Sequence, residues 1–185
     1  MRKLIFAINI TLDGCCDHTK QCAGEEVLNY YTRLLLRNAG LLIFGRKTYQ
    51  LMVPYWPEVA KDRTASKSEK DYARAFESTN KVVFSRSLGS VEDKNTRIVR
   101  TDLRREMLKL KREPGKDILV GGVSIPSQLM KLGLVDEYRF LVSPVFAGKG
   151  RRLLDGARPW ERAPLKLVET KTFKSGCVLL RYSKR

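Results

Sequence analysis

The sequence predicts an α/β fold: a single domain on a central, mixed but mostly parallel sheet, with helices on both faces and antiparallel strands at the C-terminus. Three observations carry this. Short, nearly unbroken apolar runs such as Lys3–Ile10 and Leu41–Gly45 read as strands covered on both faces. Such runs alternate with helical patterns over about two thirds of the chain, the signature of helices packed on a parallel sheet. Beyond Leu132 the pattern changes, and strand-like segments follow one another with no strong helix between them. With 185 residues and 43% hydrophobic content, the chain can bury one sizeable core but is short for two, so residues 1–185 form one domain.

Taken in order, Lys3–Ile10 is an interior strand. Between Glu25 and Asn38 the apolar residues Val27, Leu28, Tyr31, Leu34 and Leu35 recur at helical spacing, with Glu25 and Glu26 in the first turn and Gly40 just past the end. Leu41–Gly45 is a second buried strand. RKTYQLM then predicts a short helix that the prolines of PYWP (Pro54 to Pro57) terminate. The polar stretch Lys61–Glu77 carries Tyr72, Ala73 and Phe76 on one side, which predicts a surface helix of modest burial. KVVFS and TRIV are strands, and Leu103, Met107 and Leu110 mark a helix capped by Asp102. DILV leads into Gly121-Gly122 and a helix over Ile125–Leu132. EYRFLVS, LKLVETKTF and CVLLRYS are the final strands, the last two joined at Ser175-Gly176.

Thirty-six Lys and Arg against 20 Asp and Glu give a net charge of +16, which attracts anions. The basic residues are spread along the chain rather than gathered in one block, so a solvated basic surface is expected and a nucleic-acid groove is not. No apolar run approaches the ~20 residues that cross a bilayer, and LIFAINI is too short and too strand-like for a signal peptide. A cytoplasmic protein without a membrane partner is expected. Cys15, Cys16 and Cys22 share one loop with His18, the only histidine. Their spacing fits neither a disulfide framework nor a zinc knuckle, so thiols and no metal are expected.

The most informative motif is the Gly121-Gly122 turn. Without a Cβ on either residue, the backbone at a strand end can bend and approach a ligand. The amides that open the following helix, through Val123, Ser124 and Ile125, then favour a diphosphate. GRKTY is a second strand-to-helix turn. There Thr48 and the adjacent amides can face phosphate while Arg46 and Lys47 supply charge; an ordinary turn with solvated cations fits equally well. SRS, with Ser85 and Arg86, ends a third strand. Ligands of open α/β sheets gather outside the carboxyl ends of strands, so the ends at Gly45, Ser85 and Gly121 can surround one ligand. VGGVSI lacks the third glycine of the dinucleotide fingerprint, and Gly148-Lys149-Gly150 lacks the hydroxyl residue of a Walker motif.

TLDG (Thr11–Gly14), LLIFGRKTY, VVFSRS, and VGGVSI followed by LGLVDEYRFLVSPVFAGKGRRL together resemble the superfamily that joins dihydrofolate reductases to riboflavin-pathway reductases. The last block is most similar to the riboflavin-reductase branch. The resemblance implies a dihydrofolate reductase-like fold, NADPH as cofactor and hydride transfer to a small-molecule substrate. That substrate would be a heterocycle or sugar phosphate, for instance one like 5-amino-6-(5-phosphoribosylamino)uracil. It implies that Arg46, Ser85 and Arg86 surround the adenosine 2′-phosphate, and arginine there favours NADP over NAD because a guanidinium matches phosphate in charge and geometry. It further implies that Lys47 and Thr48 serve the phosphate chain beside the cofactor-binding Gly45, that Gly121, Gly122, Val123, Ser124 and Ile125 carry the diphosphate, and that Gly14 lies near the nicotinamide. A homodimer is implied too.

One departure bears on the substrate. Where dihydrofolate reductases carry an acidic residue on the first long helix, this chain has Asn29, which can hydrogen-bond a substrate but cannot ionise to pair with a protonated pterin. Dihydrofolate reduction proper is therefore the alternative rather than the first reading. Asp13 is the candidate catalytic residue, holding substrate or relaying a proton, although Asp-Gly is also a common turn pair. A non-catalytic nucleotide- or polyanion-binding module is the rival from another class.

Overall fold

The structure, a computed structural model, describes residues 1–21, 24–153 and 163–185. Its strands are β1 (Leu4–Thr11), β2 (Ala39–Gly45), β3 (Lys81–Phe84), β4 (Thr96–Val99), β5 (Asp117–Val120), β6 (Glu137–Ser143), β7 (Leu165–Thr172) and β8 (Val178–Lys184). They form one sheet in the order β4-β3-β2-β5-β1-β6-β8-β7. From β4 to β6 every neighbouring pair is parallel, and β8 and β7 are antiparallel additions. The expected α/β class and the change of pattern late in the chain are both observed.

The helices are α1 (Glu25–Arg33), continued by a wider turn over Leu34–Asn38, then α2 (Arg46–Lys61), α3 (Lys67–Ser78), α4 (Leu103–Arg112) and α5 (Ser124–Lys131). Strand alternation sorts them between the two faces. Ile5, Ala7, Leu42, Phe44, Val83 and Leu119 meet Leu34, Leu35, Tyr49, Val53 and Phe76 from the first three helices. Their neighbours Leu4, Phe6, Leu41, Ile43, Ile118 and Val120 meet Met107, Leu110, Leu129 and Met130 from α4 and α5. Being covered twice explains why β1 and β2 read as unbroken apolar runs.

Two elements depart from expectation. Rather than ending at PYWP, α2 runs 16 residues with Pro54 and Pro57 inside it. An interior proline costs ~3 kcal/mol, and packing offsets it here: Val53 is buried, and the Trp56 ring sits edge-on to Tyr72 of α3 with centroids 4.5 Å apart. The helix α3 itself is more buried than its polar sequence suggests. Ser66 and Glu69 form a reciprocal capping box at its start, and Phe76 is 1% exposed. It lies over α1 and α2 instead of facing solvent broadly, so small residues such as Ala73 and Ala75 are enclosed.

The seam between the parallel and antiparallel parts is polar. Glu137 of β6, its side chain 5% exposed, pairs with Arg139 at 2.6 Å and with Arg181 of β8 at 2.9 Å. Arg139 also donates to the Tyr30 hydroxyl on α1 (2.8 Å), so this ion cluster links three elements. Burial pushes the Glu137 carboxyl up, but the hydrogen bond from Arg181 and the charge of Arg139 outweigh it and hold the group below its ordinary value.

Candidate functional site

Because the six strands from β4 to β6 run the same way, their carboxyl ends share one edge. Along it come Ser85-Arg86 after β3, Gly45 ending β2 with Arg46, Lys47 and Thr48 opening α2, Gly121 and Gly122 after β5, Asp13-Gly14 after β1, and residues 144–152 after β6. The three strand ends singled out from sequence are thus on adjacent strands. The order reverses at the centre, where β5 and β1 lie side by side, the position at which open α/β sheets leave a crevice.

Two of these turns touch. The Gly121 amide donates to the Ile43 carbonyl at 3.1 Å, tying the end of β5 to β2. Gly122 has a φ of 83°, and a Cβ there would collide with Thr48 Oγ1. A Cβ at Gly45 would stand 3.2 Å from Ile125 Cγ1. Glycine at these positions therefore lets GRKTY and GGVSI close on each other. The helices they open start at Gly45 and Val123, neither of which supplies a side-chain cap, so the first amides of α2 and α5 remain as donors beside each other. Exposed Arg46 and Lys47 add charge at the same place. Backbone donors, two helix dipoles and flanking cations suit the diphosphate of a dinucleotide.

At the β3 end, the Ser85 hydroxyl oxygen accepts from the amides of Ser87 (3.3 Å) and Leu88 (3.0 Å), which folds the SRS loop. Arg100, just past β4, donates to the carbonyls of Ser85, Arg86, Leu88 and Gly89. Arg86 is exposed at the tip of that loop.

Beyond β5 along the same edge, the loops after β1 and β6 are knitted together. Gly14, at φ 78°, closes a turn in which its amide donates to the Thr11 carbonyl. The Asp13 carboxylate accepts from the Thr11 hydroxyl (2.5 Å) and from the amides of Ala147 (3.1 Å) and Gly148 (3.0 Å). These hydrogen bonds, the Thr11 one foremost, lower its pKa to about 2. Arg152 donates to the Asp13 backbone carbonyl, and its Nη2 lies 3.4 Å from the carboxylate. Cys15 bridges Arg152 in a short antiparallel pairing, and Cys16 donates its amide to the Arg151 carbonyl at 2.7 Å. Arg151 in turn reaches Ser124 Oγ at 3.0 Å, so the second loop leans over the start of α5.

Asn29 is half-buried on α1, a helix held across β1 by the hydrogen bond from the Tyr31 hydroxyl to Asn9 Oδ1 (2.7 Å). Desolvation pushes the Tyr31 phenol above its ordinary value, so it serves as a donor. Of the cysteine loop, Cys15 is buried with its thiol directed to the Lys149 carbonyl, and Cys22 lies outside the described residues.

Arg100, Arg151, Arg152 and Thr11 are the rim residues that sequence reasoning did not single out. The signals were slight. Arg100 follows a strand by one position, as Ser85 does, while Arg151 and Arg152 sit in a basic run that reads as solvated surface.

A model of the RibD C-terminal domain matches residues 2–179. YyaP of Bacillus subtilis strain 168, an uncharacterised protein, is 32% identical over 98% of this chain and 94% of its own length. Among solved structures, a candidate riboflavin biosynthesis protein from Shewanella sp. PV-4 superposes with a TM-score of 0.75 at 15% identity, covering 99% of both chains. Acinetobacter baumannii RibD superposes with a TM-score of 0.67 at 16% identity over all of this chain and 58% of its own. The chain belongs to the RibD C-terminal domain family, on a dihydrofolate reductase-like α/β fold.

Proposed function

We propose that this protein is an NADPH-dependent reductase that delivers hydride to a small heterocyclic or sugar-phosphate substrate. The observation that carries the reading is the closure of GRKTY on GGVSI, which sets two uncapped helix N-termini side by side at the ends of β2 and β5. That cradle admits close backbone approach and offers amide donors to a diphosphate. Ser85, Arg86 and Arg46 extend it along the rim, in the direction where an adenosine 2′-phosphate would lie, and Gly14 stands across the crevice, on the nicotinamide side. When bound, NADPH supplies the hydride, and the chain's task is to orient the donor and acceptor carbons and exclude water.

Asp13 serves this chemistry as a fixed anion. Already ionised and accepting three hydrogen bonds, it holds the loops after β1 and β6 in one arrangement over the crevice; a proton for the reduced substrate then comes from solvent. Asn29 is the candidate substrate contact, and as a neutral amide it favours a neutral heterocycle over a protonated pterin. This places dihydrofolate reduction proper second. The +16 charge suits a phosphorylated substrate.

The reading includes a cytoplasmic homodimer. Leu167 and Val168 of the edge strand β7 are 51% and 48% exposed, an apolar edge that a second copy would cover. Among the described residues no helix is long and apolar enough to cross a membrane.

The test is a cofactor-oxidation screen with pterins, phosphorylated pyrimidines and small carbonyl compounds, alongside calorimetric titration with NADPH. Saturable NADPH binding and turnover of one substrate class are expected. Binding to RNA or DNA alone, with a steep salt slope, would favour the polyanion-binding module instead.

A further inference from the structure

Arg100 is exposed, carries charge, and yet spends its guanidinium on main chain. Its Nη1 lies 3.3 Å from the carbonyls of both Ser85 and Arg86, and its Nη2 lies 2.6 Å from that of Leu88 and 3.0 Å from that of Gly89. A planar fork of donors can serve four acceptors at once, which an ammonium on a flexible stem cannot. The loop it gathers has few other anchors. Leu88 is half-buried, Gly89 has no atom within 4 Å of where a Cβ would stand, and Arg86 and Ser87 are exposed. Without the fork, four carbonyls at a rim facing water would turn to solvent and the loop would sample many conformations.

We propose that Arg100 is the positioning residue of the Ser85–Gly89 loop and, through it, sets the preference of the site for a 2′-phosphorylated over an unphosphorylated dinucleotide. The proposal rests on the cofactor reading above. Turning the loop's carbonyls toward Arg100 stabilises the fold in which the Ser87 and Leu88 amides reach Ser85 Oγ. An oxygen that already accepts twice uses its hydroxyl proton to bind a phosphate oxygen. The same fold fixes the point from which Arg86 extends. Arg100 thus acts on the phosphate through Ser85 and Arg86, without touching it.

The experiment compares wild type, Arg100→Met and Arg100→Lys by calorimetric titration with NADPH and with NADH, by thermal melting, and by amide hydrogen exchange. Arg100→Met should weaken NADPH about tenfold, equivalent to ~1.4 kcal/mol, and leave NADH within about twofold. Exchange at Ser87 and Leu88 should quicken in the absence of any nucleotide. Arg100→Lys keeps the charge but not the fork, and should recover less than half of the lost preference. A wild type that binds NADPH and NADH equally would overturn the cofactor reading and the preference with it. If instead wild type prefers NADPH while Arg100→Met weakens both nucleotides alike, or Arg100→Lys behaves as wild type, the positioning role falls and the cofactor reading stands. Should Arg100→Met not fold, Arg100→Lys decides alone: undiminished NADPH preference overturns the proposal, and a reduced preference with faster exchange supports it.

Discussion

The strands β2 and β7 are of similar length and occupy opposite situations. In β2, Leu41, Leu42, Ile43 and Phe44 are all buried, because β3 and β5 flank the strand and helices cover both faces. In β7 every residue after Leu165 is exposed, because β8 flanks it on one side only. The difference teaches where each part of the chain's energy resides. The parallel region is stabilised by its own burial and can carry a precise rim, whereas the C-terminal hairpin pairs with β6, packs Phe173 and Leu179 against Val27 of α1, and leaves Leu167 and Val168 exposed.

The largest effect should come where the parallel region is tightest. Gly122→Ala combines a left-handed backbone with a clash on Thr48 Oγ1, each costing about 1–3 kcal/mol, and nucleotide affinity should fall with stability in denaturant titrations. Gly148→Ala has a similar φ of 71° but open space around it, so it should lose only ~1–2 kcal/mol for the conformation. Equal losses would mean that close approach at the rim is not what Gly122 provides.

Glu137→Gln tests the seam. Removing the carboxylate leaves the buried Arg139 without a charged partner and Arg181 with Glu169 alone, for an expected loss of ~3–5 kcal/mol near neutral pH. The folded-state pKa of Glu137 lies below its ordinary 4.5. Its contribution is therefore fully present above that ordinary value and is lost as pH falls through the depressed one. Urea midpoints of wild type and variant should accordingly converge in acid, and a gap that persists there would point to packing rather than charge.

A core truncation sharpens the contrast directly. Ile43→Ala should cost ~2–5 kcal/mol, whereas Leu167→Ala on β7 should stay within about 0.5 kcal/mol for the isolated chain. If a second copy covers β7, Leu167→Ala should also lower the melting temperature of the dimer and make it less dependent on protein concentration. The smallest effect concerns pH and activity. With Asp13 already ionised well below neutrality, turnover should show no ionisation from this group between pH ~5 and ~9, although Asp13→Asn should slow it by loosening two loops. A rate that falls as pH rises through a pKa that Asp13→Asn abolishes would restore Asp13 as a proton donor.

What was legible in the sequence follows the same division. Strands covered on both faces announce themselves as apolar runs, so β1, β2, β3 and β5 could be read directly. Gly45 and the Gly121-Gly122 pair mark the rim because backbone conformation is a local property. The continuation of α2 through Pro54 and Pro57 was not legible, since local rules end a helix there and only tertiary packing, of Val53 in the core and Trp56 on Tyr72, offsets them. Nor was the burial of α3, whose composition reflects its outer side. Arg100 and Arg151 escaped notice for a related reason: an arginine bonded to distant backbone and one bathed in water look alike in a basic sequence. Asp13 was located as a candidate, but its bonds from the Ala147 and Gly148 amides depend on a loop more than a hundred residues later, beyond the reach of local pattern.

The placement of β5 between β2 and β1 has a consequence for how this protein is made. During synthesis β1 and β2 emerge long before the strand that separates them, so a growing chain cannot settle its sheet early without leaving a slot or pairing wrongly. Until Asp117–Val120 arrives, two apolar strand edges stay open to unwanted pairing. The central slot is filled late, and the closure of GRKTY on GGVSI, the cradle proposed for phosphate, comes into being in the same event. A nascent fragment ending before Asp117 should therefore need a chaperone more than the finished chain does, and nucleotide should protect only the latter.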